Sequence, residues 1–234
     1  YLFNNDVLKD LSVAKDERIE SLMGNIFFKE KNYKESYRYY KMIENPTDKS
    51  VIFYKATAQT LGYEQKSSKE IIAIISKLEN FIETMPDINM RIRSYMDLTD
   101  IYTSNQDVYP NSFDKVIKLL EKANLLGKAT GNGTADYKLY VRLGKAYNDK
   151  AGTIKEGSPK YIALIRKSLE YYNLALENGF NKVDGFYSIG NAYEKIGDNA
   201  NGVKTFQEMI AIFPNDYKGY TFLALLYYNM EVHE

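Results

Sequence analysis

The chain repeats itself. The stretch from Val183 to Asp216 reads as one unit of 34 residues. Its first segment carries Phe186, Ile189, Gly190 and Tyr193, and its second carries Gly202, Phe206 and Met209 before closing on Pro214. Each segment keeps one apolar face at helical spacing. Two short amphipathic helices cannot bury that face alone, so neighbouring units have to stack and share a core. The repeat constrains the architecture and leaves the ligand open.

The landmarks of the first segment recur along the chain. A small residue stands at the centre of each first helix, at Gly24, Ala58, Thr99, Gly144, Gly190 and Ala224, with intervals of 34, 41, 45, 46 and 34 residues. Three positions after each comes Phe27, Leu61, Tyr102, Tyr147, Tyr193 or Tyr227. Glycine inside a helix costs about 1 kcal/mol relative to alanine. Three glycines at equivalent points therefore need a packing reason, and close approach of a neighbouring helix supplies one.

The second helices carry Ser36, Tyr40 and Ile43, then Ile74, Leu78 and Phe81, then Val116, Leu120 and Ala123, then Ser168, Tyr172 and Ala175. With these residues in view, the chain resembles the tetratricopeptide repeat family over roughly residues 17 to 230. The unit from Val183 to Asp216, with its Gly197-Asp198 turn, is closest to the family pattern. A repeat family with longer units ending in glycine, as at Glu177-Asn178-Gly179, is the rival reading and implies much the same solenoid. The resemblance implies an all-α fold, a right-handed α-α superhelix of about five helix pairs plus one further helix. The expected organisation is a lead-in segment over residues 1–16 and a solenoid over 17–234. Its units fall near 17–50, 51–91, 92–136, 137–182 and 183–216, with a partial unit at 217–234.

Composition narrows the functional classes. The counts of Lys+Arg and Asp+Glu are both 31, so no net charge steers the chain to nucleic acid or to an acidic membrane. Apolar runs such as Ile71 to Ile75 and Phe222 to Tyr228 fall far short of the roughly 20 residues that span a bilayer. No signal-peptide pattern is present, although the chain begins at Tyr1 without Met. The expected location is the cytoplasm, with an extracytoplasmic region of a membrane-anchored protein as the alternative. The richness in Lys, Asn, Ile and Tyr suggests an AT-rich bacterial gene.

Cysteine is absent and His233 is the one histidine, so Ser-His and Cys-His triads cannot be assembled, and a zinc site would have to be all carboxylate. The expectation is no enzyme, no cofactor and no metal. Carboxylate pairs such as Asp97 with Asp100, or Glu170 with Glu177, sit at the spacing of a solvated helix face. Gly131-Asn132-Gly133 follows a helix, lacks the Gly-Lys-Ser/Thr of a phosphate loop, and reads as a turn leading to a cap at Thr134. Asn132-Gly133-Thr134 also fits a glycosylation sequon. Of the 22 tyrosines, most fall at packing positions, whereas Tyr187 and Tyr228 point away from the packing face.

The resemblance implies a ligand groove lined by the first helices. Carried over position by position, it gives Arg93, Met96, Asp100 and Thr103, then Lys138, Val141, Lys145 and Asn148, with Arg142 beside them. It continues with Asp184, Tyr187, Asn191 and Glu194, and with Lys218, Thr221, Leu225 and Tyr228. The basic stripe of Lys138, Arg142 and Lys145 beside Tyr187 and Asn191 suits a peptide carboxylate or acidic side chain. The family's carboxylate clamp is disfavoured, because Asn191 and Lys218 match it but Phe222 stands where arginine belongs. Insertions near Gly62 to Lys69, Ser104 to Ser112 and Lys150 to Pro159 lie within units and mark a second candidate surface along one rim, with Gly152 to Pro159 the most flexible.

The expected function is a noncatalytic scaffold module that binds a protein or peptide through the groove and rim loops. The alternatives are the sensory or docking region of a larger signalling enzyme, such as a bacterial serine/threonine kinase, and a peptide-pheromone receptor regulator. The helix from Tyr217 to about Met230 is apolar all round, which is too apolar for a terminal cap. It points to a further helix beyond Glu234 or to self-association.

Overall fold

The computed structural model describes residues 17–62, 67–110, 112–129, 137–180 and 183–232. The described residues hold eleven helices and no strand. In order they are α1 (Glu17–Lys29), α2 (Tyr33–Met42), α3 (Lys49–Gly62), α4 (Ser68–Glu83), α5 (Ile88–Ser104), α6 (Phe113–Ala129), α7 (Tyr137–Ala151), α8 (Pro159–Glu177), α9 (Val183–Lys195), α10 (Asn199–Ile212) and α11 (Tyr217–Val232). The all-helical architecture expected from the periodicity is therefore present, five pairs in chain order followed by one further helix. Local chemistry sets several starts. Ser67 and Glu70 form a reciprocal capping box before α4, and Ser158 caps α8 with Pro159 in its first turn.

The helices form two compact units, Tyr1–Val108 and Tyr109–Glu234. In the first, α2 packs on α1 and α3, α4 packs on α3 and α5, and the first helices α1, α3 and α5 also touch in succession. Tyr40, Ile43, Val51 and Ala58 form a buried cluster there, with Phe28, Tyr37 and Tyr54 against it. In the second unit each helix from α6 to α11 packs on the next, and α11 also reaches α9. One core cluster there joins Tyr161, Ile165, Leu169 and Tyr172 to Ile189 and Ala192. Another joins Phe186, Phe206 and Met209 to Leu226.

The central glycines show why the pairs close so tightly. A Cβ placed on Gly24 would stand 2.8 Å from the Tyr40 ring, on Gly144 2.7 Å from the Tyr172 ring, and on Gly190 2.4 Å from the Phe206 ring. In each pair an aromatic ring of the second helix lies where the first helix has no side chain. Four residues before the ring stands a small residue. Ser36 Oγ donates to the Gly24 carbonyl at 2.8 Å, and Ser168 Oγ donates to the Gly144 carbonyl at 2.7 Å. Gly202 takes the same place before Phe206, where a Cβ would come to 3.5 Å from the Gly190 carbonyl. The serines also give the added carbonyl lone pair of a close-packed helix a buried partner.

The α4 helix departs from the expected face. Ile71, Ile75, Leu78 and Ile82 are its buried residues, whereas Ile74 and Phe81 are half-buried. The run Ile71-Ile72-Ala73-Ile74-Ile75 is apolar on every side, so its neighbours choose the face and turn the helix by about one residue. The Gly152 to Pro159 connection, expected to be the most flexible, is a run of hydrogen-bonded turns with Ile154 packed against the core. Residues 63–66 and 111 of the other insertions lie outside the described residues.

The ring-on-glycine contact predicts that Gly190→Leu destabilises the protein by about 1–3 kcal/mol through overpacking. Gly190→Ala should also lose stability, although alanine alone would gain about 1 kcal/mol in a helix. Urea midpoints equal to the parent's for both variants would show that the ring yields freely and that the contact is not tight.

Candidate functional site

The first helices of the second unit place the candidate residues in three stripes. Lys138, Val141, Arg142, Lys145 and Asn148 recur at helical spacing along α7, with Lys138 and Lys145 exposed and the other three half-buried. On α9, Tyr187 is 41 % exposed, and Asn191 and Glu194 are half-buried. On α11, Lys218 is half-buried and Tyr228 is 63 % exposed. Arg93 and Asp100 belong to the first unit, on α5, where Arg93 is exposed and Asp100 half-buried. There Arg93 and Asp97 both act on Tyr54, whose phenol is pushed up to about 12 by burial and by the Asp97 charge, with Arg93 opposing.

Lateral bonds fasten these stripes to one another. Lys195 Nζ on α9 donates to Asn148 Oδ1 on α7 at 2.8 Å. Asn229 Nδ2 on α11 donates to Glu194 Oε1 on α9 at 2.6 Å. The rings of Tyr187 and Phe222 lie 4.3 Å apart, and Phe222 continues onto Phe206 at 5.7 Å. Three of the groove candidates, Asn148, Glu194 and Tyr187, thus help hold successive first helices side by side. Phe222, at the place where the clamp pattern asks for arginine, fills that place with an aromatic stack.

Sequence reasoning missed Lys195 and Asn229, the partners in these bonds. Each lies one residue along from a stripe residue. Which of two adjacent polar residues reaches across depends on the rotation of both helices. It also missed a recurrent use of tyrosine. Tyr102 OH donates to Glu79 Oε1 at 2.7 Å, Tyr147 OH to Glu121 Oε1 at 2.5 Å and Tyr95 OH to Glu83 Oε1 at 2.7 Å. Tyr102 and Tyr147 are the residues three positions after Thr99 and Gly144, and each bonds a carboxylate on the preceding second helix. The landmark tyrosine therefore pins a first helix to the pair before it.

The carboxylates considered for catalysis differ in setting, with Asp97 and Asp100 half-buried on α5 and Glu177 exposed at the end of α8. Glu170 is exposed and pairs with Lys167 at 2.7 Å. No cluster of three or more metal-ligating side chains occurs among the described residues, and no described helix is long and apolar enough to cross a membrane. The Gly131-Asn132-Gly133 turn and the sequon at Asn132 lie outside the described residues.

Comparison with known proteins supports the fold. A crystal structure of MamA protein superposes with a TM-score of 0.57 at 18 % identity, covering 86 % of this chain and 94 % of that one. A second structure, MamA MSR-1 C2, gives a TM-score of 0.53 at 17 % identity, covering 82 % and 92 %. The fold is tetratricopeptide-like. No protein-family model matches the sequence, and no curated protein matches it significantly. At this identity the likeness is one of architecture, so the role of each stripe rests on its own chemistry.

The buried tyrosines predict an alkaline limit. Burial pushes the Tyr172 phenol up to about 12, with the Asp149 charge adding to it. Burial also raises Tyr40, and burial followed by the bond to Glu121 raises Tyr147. The fold prefers the neutral phenols, so their contribution is intact below the unfolded tyrosine value of about 10 and is lost as pH climbs past it toward 12. The urea midpoint should hold steady from pH 7 to 9 as far as these groups are concerned, then fall. In a phenolate absorbance titration a subset of tyrosines should ionise late and together with unfolding. Full ionisation near pH 10 with the helix signal intact would contradict this.

Proposed function

We propose that this chain is a noncatalytic scaffold that binds an acidic peptide segment of a partner protein along α7, α9 and α11 of the second unit. The observation that carries the reading is the set of three laterally fastened stripes, which present the exposed Lys138 and Lys145 on α7 and the exposed Tyr187 ring on α9. Lysine ammonium groups attract carboxylates through charge-assisted hydrogen bonds. Tyrosine offers a large, stiff contact area with a polar tip, the residue type enriched at protein interfaces. The ties through Asn148, Glu194 and Phe222 keep the stripes ordered before a ligand arrives, which lowers the entropy lost on binding. Val141, Arg142, Asn191 and Lys218 complete the surface in this reading. In the first unit, Arg93 and Asp100 make an electrically mixed stretch of α5.

A Lys138→Glu/Lys145→Glu double variant should weaken capture of synthetic glutamate-rich peptides by about tenfold, as expected for two reversed surface charges each worth up to about 1 kcal/mol. The difference should shrink at high salt, where exposed charges are screened. Comparing free and amidated C-termini separates recognition of a terminal carboxylate from recognition of acidic side chains. Equal affinity of parent and variant at low salt would remove the stripe from the binding surface.

A further inference from the structure

Helix α11 has one face buried against the second unit and the opposite face open. Leu226 is 1 % exposed, with Phe222, Leu223 and Met230 packed around the same cluster. On the other side Tyr217 is 73 % exposed, Tyr220 51 %, Leu225 53 %, Tyr227 44 % and Tyr228 63 %. Exposed Ala224 lies at the centre of that face. Ala224 is the register equivalent of Gly24, Gly144 and Gly190, and those three each receive an aromatic ring from a second helix. The open face of α11 is therefore the face on which this fold seats another helix.

We propose that the occupant is the same face of a second copy of this chain, the two α11 helices crossing antiparallel about a two-fold axis at Ala224. The face is complementary to itself in that register. Tyr217 falls opposite Glu231 of the second copy, Tyr220 opposite its Tyr228, Thr221 opposite its Tyr227, and Ala224 meets Ala224. The terminal pairing repeats a contact that the protein already makes internally at Tyr95 with Glu83, Tyr102 with Glu79 and Tyr147 with Glu121. Alanine at the axis lets the backbones approach closely, and antiparallel helices set opposite dipole ends together.

The area also fits. With about 200 Å² for each aromatic side chain, the exposed fractions of the four tyrosines amount to about 460 Å² per copy, and Leu225 adds to it. That is within the range of the largest patch a monomer leaves open. It is more than half of the roughly 800 Å² per partner of a standard stable interface. Lys218 and Glu231 are the charged residues between Tyr217 and Val232, so a highly charged partner would find little to pair with.

The chain has no cysteine, which makes the register directly testable. The 234-residue chain should sediment as a dimer at micromolar concentration. Ala224→Glu should make it a monomer with the parent's helical circular dichroism, because the site is exposed in the single chain. Under mild oxidation Ala224→Cys should give a covalent dimer readily. Tyr217→Cys should not, since fourteen helical residues put its two copies about 21 Å apart. A mixture of Tyr217→Cys and Glu231→Cys chains should cross-link to each other. Lys138→Glu/Lys145→Glu should leave the dimer intact, so failure of the peptide reading and failure of this one are distinguishable. A parent that stays monomeric would assign the face to a different occupant, another protein or a further stretch of helix. A dimer that survives Ala224→Glu, or that cross-links as fast through Tyr217→Cys as through Ala224→Cys, would overturn the two-fold.

Discussion

An aromatic ring resting on a glycine is the contact on which this fold depends. At Gly24, Gly144 and Gly190 the first helix of a pair offers bare backbone, and the second helix lays Tyr40, Tyr172 or Phe206 onto it. Each ring is fully or almost fully buried, so it brings a large apolar surface out of water at the point of closest approach. Helix propensity favours alanine at these positions, and the packing overrides it. Ser36 and Ser168 then bond the glycine carbonyls beside the rings, which satisfies polar backbone at the tightest point of the contact. Close pairing of this kind lets two helices of about four turns act as one stackable layer.

The layers are joined by polar contacts as well as apolar ones. Tyr102 and Tyr147 reach back to Glu79 and Glu121 on the preceding second helix, and Asn148, Lys195, Glu194 and Asn229 link successive first helices in the second unit. This has a bearing on recognition. A side chain that already bridges two helices is held in place, and it helps present its neighbours rather than adapting to a ligand. Under the proposed function, the exposed Lys138 and Lys145 of α7 are the residues that meet a partner.

The period and the small central residues were legible because they obey spacing alone. Gly24, Gly144 and Gly190 stand out in the sequence, and so do the tyrosines three positions later. Exposure of Tyr187 and Tyr228 was legible for the same reason, since their helix positions oppose the packing face. The buried face of α4 was not, because isoleucines surround that helix and the choice of face belongs to its neighbours. The cross-helix bonds of Asn148 and Glu194 were equally out of reach, since adjacent polar residues such as Glu194 and Lys195 differ only by the rotation of the helix that carries them. The ligand of the proposed binding surface is a matter of chemistry at exposed side chains, and spacing does not encode it.

The central contact leaves a direct spectroscopic trace. A glycine Cα that lies against the face of a ring places its α-protons in the ring's shielding region. In the nuclear magnetic resonance spectrum of the labelled protein, the α-protons of Gly24, Gly144 and Gly190 should be shifted well upfield of those of the turn glycines Gly157, Gly179 and Gly197, which have nothing within 4 Å of a placed Cβ. Replacing Phe206 with Leu should return Gly190 to an ordinary position and leave Gly24 and Gly144 where they were. Ordinary positions for all three central glycines in the folded protein would contradict the account, because the rings would then lie elsewhere and the pairs would be closed by another contact.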